Sequence, residues 1–277
     1  MTRILSTYLF VKRKLTPALA VDIANSGVNA VELFCARGHF DYRAAETVRD
    51  LAGAFGDHGV AIHALHAPAE RFHPTRESAM PLSISEPERL RRLEAVDEIK
   101  RVLDLSEHLK FRYLVQHMGG SRDAAEPRRY DAAFNSLEHL HIFAKQRGVI
   151  IALENTPGEL ATPGNLRQFI SDTRLTDLRL CFDAGHAHLE GSVAAAFETM
   201  RDLVVTVHVH DNHGEKDEHL VPPQGSIDWK ATLAMLSGLP MVVELKEQPD
   251  QVEPAPATVA LEASRRAFDF IENGATA

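Results

Sequence analysis

The sequence predicts an α/β fold, a single (β/α)8 TIM barrel spanning residues 1–277. Three observations carry this expectation. Eight short apolar, β-branched runs recur along the chain, each followed by a longer stretch of helical character, and such alternation implies a parallel sheet covered by helices. No GxGxxG follows the first run and no GxxxxGK[ST] occurs anywhere, which removes support for the nucleotide-binding, doubly wound alternatives. The length, 277 residues, suits one barrel of about 250 residues as well as two smaller domains, and no low-complexity linker or internal repeat divides it.

The strand candidates are Ile4–Phe10, Val28–Phe34, Val60–Leu65, Tyr113–Gln116, Val149–Leu153, Leu178–Phe182, Leu203–Val209 and Met241–Glu244. Between them lie helices. Thr16-Pro17 opens one, with an N-cap residue followed by proline at the first helical position. Glu86–Leu109 places Leu90, Leu93, Val96 and Ile99 on one side with charges opposite, the pattern of a helix burying one face. Ser226–Leu236 and Ala257–Ile271 complete the series, with Trp229 expected to anchor the start of the seventh barrel helix. His66–Ser85, with three prolines, is too long for a simple connection and reads as a functional loop.

Composition narrows the function. An apolar fraction of 44% and a charged fraction of 25% are those of a globular protein, not a disordered or fibrous one. No stretch approaches the ~18 apolar residues that span a bilayer. Ile4–Val11 makes a poor signal peptide, because its charges, Lys12-Arg13-Lys14, follow the apolar run. Two cysteines, Cys35 and Cys181, cannot make a disulfide framework, so a reducing, cytoplasmic location is expected. A net charge of -9 argues against broad nucleic-acid binding, which needs clustered Lys and Arg.

In a barrel the catalytic groups sit at the C-terminal ends of the strands. Here six of the eight strand candidates end in a His, Asp or Glu: His66, His117, Glu154, Asp183 with His186 beyond it, His208 followed by His210 and then Asp217 and His219, and Glu244. A single histidine at such a place is ordinarily a hydrogen-bonded loop residue, and Asp183 alone would be a helix cap. Six together are explained more simply by one metal centre, since converging imidazoles and carboxylates are what zinc or manganese require, and a buried carboxylate is costly unless paired. Of the other histidines, His58, His108, His139 and His141 fall in helical segments and are expected on the surface, and His63 inside the barrel. His39, His73, His188 and His213 lie within reach of the active face, with ordinary loop roles the expectation for each. Cys35 is expected as a buried thiol or a pocket-lining one.

The motifs Leu65-His66-Ala67-Pro68, Val115-Gln116-His117, Leu153-Glu154-Asn155-Thr156, Phe182-Asp183-Ala184-Gly185-His186, Val207-His208-Val209-His210-Asp211-Asn212, Asp217-Glu218-His219 and Val243-Glu244 together resemble the xylose-isomerase-like TIM barrels. That superfamily holds sugar isomerases and epimerases and also the endonuclease IV family. The resemblance to its epimerases implies one divalent metal on Glu154, Asp183, His208 and Glu244. The resemblance to endonuclease IV adds His66, His117, His186, Asp217 and His219, for three zinc ions. The chain departs from endonuclease IV at Val11–Pro17, which has no glycine, and at Ala67-Pro68-Ala69-Glu70-Arg71-Phe72, which has no Tyr-Leu wedge. It departs from the ketose 3-epimerases where Gly214-Glu215-Lys216 stands in place of an arginine.

The expected function is therefore a metal-dependent isomerase or epimerase of a sugar or sugar derivative, with Glu154 and Glu244 moving the proton and His186 holding a substrate hydroxyl. The cofactor expected is zinc, or manganese, cobalt or magnesium, one to three ions per chain. The alternative is a trinuclear zinc phosphodiesterase acting on abasic DNA, and the third class a non-catalytic metal-binding barrel. A small-molecule sugar is the expected partner, with homo-oligomerisation left open.

Overall fold

A computed structural model describes residues 1–72, 80–121, 123–247 and 256–274. Eight parallel strands close into a barrel: β1 (Ile4–Ser6), β2 (Ala30–Phe34), β3 (Ala61–His66), β4 (Tyr113–His117), β5 (Ile150–Glu154), β6 (Arg179–Asp183), β7 (Val204–Val209) and β8 (Met241–Val243). Their spatial order follows the chain. The barrel closes where β1 pairs with both β2, Ser6 opposite Glu32, and β8, Leu5 opposite Val243. The helices are α1 (Pro17–Asn25), α2 (Ala45–Asp57), α3 (Arg89–Asp104), α4 (Pro127–Lys145), α5 (Pro163–Thr173), α6 (Ala184–Leu189), α7 (Val193–Met200), α8 (Trp229–Met235) and α9 (Ala257–Gly274). None among the described residues is long and apolar enough to cross a membrane.

Successive side chains on a strand face opposite sides, and that period of two builds the molecule. Leu33, Leu65, Leu114, Leu153, Leu180, Phe182 and Val207 face outward into the core shared with the helices. The alternate residues face the barrel interior, where Ala64, Val115, Ala152 and Cys181 pack together and Ile4, Ala30 and Val242 form a second small cluster. Two residues further along the same strands, toward the C-terminal mouth, stand His66, His117, Glu154, Asp183, Ser6, Glu32 and Glu244. A floor of small apolar side chains thus lies directly beneath a ring of polar ones.

Several element bounds differ from the sequence expectation. The first strand is three residues long, not Ile4–Phe10, because Thr7–Phe10 turns into a 3-10 helix capped by the Ser6 side chain. Helix α3 runs Arg89–Asp104, not Glu86–Leu109, and two of its four expected core residues are on the surface: Leu90 is 71% and Leu93 44% exposed. A spacing of three repeated across a helix drifts off any one face, and the buried stripe is Ala95, Val96, Ile99, Val102 and Leu103. The loop after His66 carries a small antiparallel pair, Glu70–Arg71 with Met80–Pro81. The helix start at Thr16-Pro17 is as expected, with Thr16 Oγ1 accepting from the Leu19 amide.

Trp229 opens α8 as expected, held by its indole N–H donating to Asp211 Oδ2 at 2.8 Å. The same carboxylate accepts the amides of Gly225 (2.9 Å), Ile227 (3.3 Å) and Asn212 (2.9 Å), fastening the 212–228 loop beneath the mouth. Asp211→Ala would orphan these donors at about 1–3 kcal/mol each. The expected result is a melting temperature lowered by roughly 6 °C or more, at about 2–4 °C per kcal/mol, measurable by calorimetry. An unchanged melting temperature would refute the fastening role.

Candidate metal centre

At the C-terminal mouth the strand ends bring all nine predicted ligands together. Among the described residues they fall, with His210 added, into three adjoining groups, each with ligand atoms within 4.8 Å of one another: Glu154, Asp183, His208 and Glu244; His66, His117 and Glu154; and His186, His210, Asp217 and His219; a fourth, Glu154, Cys181 and His208, overlaps the first. Glu154 joins the first two. Its Oε2 stands 3.3 Å from His66 Nε2 and 3.1 Å from His117 Nε2, while its Oε1 stands 3.4 Å from His208 Nδ1 and 3.3 Å from His186 Nδ1. His208 Nδ1 is also 3.4 Å from Glu244 Oε2 and 3.7 Å from Asp183 Oδ2. Asp183 caps a helix and faces a histidine: Oδ1 accepts the His186 amide that starts α6, and Oδ2 lies 3.2 Å from His210 Nε2. Asn155 ties the ends of β5 and β6, accepting from the Asp183 amide at 2.8 Å and donating to the Asp183 carbonyl at 2.9 Å.

The donor set fits a divalent cation. His66, His186 and His219 each donate Nδ1–H to a backbone carbonyl (Ala67, Asn155 and Glu244, all at 2.9 Å). Their Nε2 atoms then face carboxylate oxygens: His66 on Glu154, and His186 and His219 on Asp217 Oδ2 at 3.3 and 3.0 Å. A ring lone pair faces a carboxylate this closely only with a proton or a cation between them. Tetrahedral ligands at about 2.0–2.2 Å from zinc have edges of about 3.3–3.6 Å, close to these separations. In addition Glu154 Oε1, His208 Nδ1 and His210 Nδ1 are buried with no hydrogen-bond partner, and such atoms are costly unless ligated.

Electrostatics agree. Burial opposes ionisation of Glu154, Asp183 and Glu244, yet the histidines around them outweigh it. Glu154 and Asp183 are held well below the usual carboxylate range and Glu244 is brought down to about 2. Burial likewise opposes protonation of His186 and His208, and neighbouring anionic groups, Asp183 foremost for His186, raise both well above the ordinary value. Protons and metal thus compete for the same atoms.

A cavity of about 370 Å³ opens over the ligands, lined by Tyr8, Phe34, Cys35, His66, His117, Glu154, His186, Asp217, His219 and Glu244 among others. One wall is aromatic: Tyr8 lies against Phe34 (4.7 Å between centroids) and His219 (5.2 Å), and Phe34 against His66 (4.7 Å). Cys35 is therefore both buried and pocket-lining, and burial pushes its thiol well above the ordinary range, favouring the protonated form. A larger cavity, about 1330 Å³, opens at the opposite end of the barrel and touches none of the ligands.

The remaining histidines take structural roles. His63 Nε2 meets Thr206 Oγ1 inside the barrel at 3.0 Å. Buried His39 pairs with the Arg13 carbonyl, His188 with Asn212, and His213 with Glu218. His73 lies outside the described residues. Arg13, in the basic run, pairs with Glu247. Two participants escaped sequence reasoning, Ser6 and Glu32 in the inward ring, and His210, named at its strand end, was left out of the expected ligand set. The period of two would have found them, since Glu32 lies two residues beyond Ala30, and His210 two beyond His208.

A family model described as the xylose isomerase-like TIM barrel matches residues 21–268. The chain belongs to this family. It is 29% identical over 243 residues to the Methanocaldococcus jannaschii protein MJ1311, covering 83% of this chain and 78% of that one. Among solved structures it superposes on a D-tagatose 3-epimerase-like protein with a TM-score of 0.77 at 24% identity, over 99% of both chains. It superposes equally on the IolI protein with a bound zinc atom, TM-score 0.77 at 19% identity, over 98% of both. At these identities the structural matches establish a common fold.

Proposed function

We propose that the protein is a divalent-metal-dependent isomerase or epimerase acting on a sugar or sugar derivative. The observation that carries this reading is the placement of Glu154 and Glu244, brought from the ends of β5 and β8 to within 3.4 Å of His208 Nδ1 and both lining one small cavity. Two carboxylates of this kind can take a proton from one face of a carbon and return it to another. The likeness to a D-tagatose 3-epimerase-like protein and to zinc-bound IolI supports it. A cavity of about 370 Å³ suits a monosaccharide, within the roughly 300–1,000 Å³ usual for small-molecule sites.

Glu154, Asp183, His208 and Glu244 would hold the ion, with His66, His117, His186, Asp217 and His219 able to hold more. Bound there, zinc, manganese, cobalt or magnesium supplies Lewis-acid polarisation of adjacent carbonyl and hydroxyl oxygens. The chain does the rest. Tyr8 and Phe34 offer an apolar wall to the C–H face of a sugar, and Tyr8, pushed up chiefly by burial, keeps its hydroxyl proton as a donor. His186 holds a substrate hydroxyl when it is not a ligand. Glu154 and Glu244 are both held ionised, so either can accept the substrate proton, and return to the opposite face requires the other to have taken up a proton first.

The test is incubation of the metal-loaded protein with a panel of ketoses and aldoses, phosphorylated and free, in D2O. The expected result is deuterium at the carbon beside the carbonyl, with an epimer or isomer formed. Absence of exchange across the panel would count against the reading. A second reading, an endonuclease IV-type phosphodiesterase, is favoured by the two further ligand groups around His66 and His219. Cleavage of abasic DNA with steeply salt-dependent binding would establish it instead.

A further inference from the structure

We propose that Glu32, with Ser6, is the positioning residue that orients His208 and Glu244 toward the ion. The inference rests on the metal reading above. Glu32 is fully buried on β2, and its Oε2 lies 3.2 Å from His208 Nε2. A carboxylate only accepts, so His208 Nε2 carries a hydrogen that Glu32 holds, and Nδ1, turned toward Glu154, Glu244 and Asp183, is the atom at which an ion would replace a proton. On the other side, Ser6 Oγ stands between the two carboxylates, 3.3 Å from Glu32 Oε1 and 3.4 Å from Glu244 Oε1, and accepts the Tyr8 amide. Its single proton is shared between them.

The topology places this chain of contacts. Barrel closure sets β1 between β2 and β8, so Ser6, opposite Glu32, lies one residue beyond the Leu5–Val243 pairing and beside Glu244. His66, His186 and His219 each find a backbone carbonyl for the nitrogen turned away from the site. His208 points that nitrogen into the barrel, where the neighbouring strands have spent their carbonyls on the ladder, and a carboxylate takes the role instead. A buried charge of this sort is costly for stability. Its return is a fixed tautomer and a more basic ligand, effects whose loss typically weakens metal affinity about 10–100-fold.

The experiment compares native protein, Glu32→Gln and Ser6→Ala, each stripped of metal and titrated with Co2+ against a competing chelator. Melting of the metal-free forms and the visible spectrum of the Co2+ forms are recorded alongside. The expected result for Glu32→Gln is a loss of affinity of about 10–100-fold at one ion equivalent and altered Co2+ absorption, with metal-free melting unchanged or raised. Ser6→Ala should show a smaller loss in the same direction. Unchanged affinity and spectrum in Glu32→Gln would overturn the proposal, as would a loss matched by lower metal-free melting, which marks a structural role. Native protein that binds no Co2+ would instead overturn the metal reading itself.

Discussion

Glu154→Gln is expected to leave a folded barrel with turnover lowered about 10³-fold or more, because a positioned carboxylate acting on a proton is worth roughly 10²–10⁴ and this one also joins two ligand groups. Gln keeps the shape of the side chain and removes its charge. The four imidazole nitrogens now within 3.4 Å of Glu154 would lose their common anionic partner, and both adjoining groups would bind their ions more weakly. Far-ultraviolet circular dichroism should match the native protein, since Ile151 and Leu153 on the other face of β5 still hold the strand to the helices. Retained turnover at native metal content would end the assignment of Glu154. Lost turnover with full metal content would instead place Glu154 in proton transfer alone.

Much of this site was legible in the sequence because a parallel barrel turns a one-dimensional rule into a three-dimensional one. Every strand ends at the same mouth, so residues at eight strand ends become neighbours. His66, His117, Glu154, Asp183 and Glu244 are legible for that reason. Asp217 and His219 lie in a loop, where no periodicity speaks; they were noticed as metal-capable residues beyond the seventh strand and named as ligands through the family resemblance. The structure brings them in by pairing Asp211 with Leu220 across that loop. Ser6 and Glu32 were missed for opposite reasons. Ser6 was hidden within a strand expected to reach Phe10, and Glu32 among the apolar residues of Ala30–Phe34, two positions short of the strand end. Leu90 and Leu93 mark the converse failure. Apolar residues at helical spacing say that a face exists, but not how far along the helix the barrel extends to cover it.

Removing the metal should lower the melting temperature by roughly 10 °C, and the same ion should restore it. A ligand present at about 1,000 times its dissociation constant stabilises the folded state by about 4 kcal/mol, and for a chain of this size each kcal/mol is worth about 2–4 °C. The site gives a structural reason for the coupling. Glu154, Asp183 and Glu244 bring three buried carboxylates to one imidazole nitrogen, and His186 and His219 share one oxygen of Asp217. Without an ion these groups must be held apart by protons alone. With it, strands β5, β6, β7 and β8 are joined through one centre, and a second ion would tie in the Asp217–His219 segment. The count of ions separates the chemistries. About one ion per chain by elemental analysis, lost in a single step on chelation, leaves His66, His117, Asp217 and His219 free to contact substrate, as sugar isomerisation needs. Two or three, lost in steps, make those residues ligands and favour phosphate-ester cleavage. A melting temperature indifferent to chelation would mean that the network closes on protons, and the metal reading would fall.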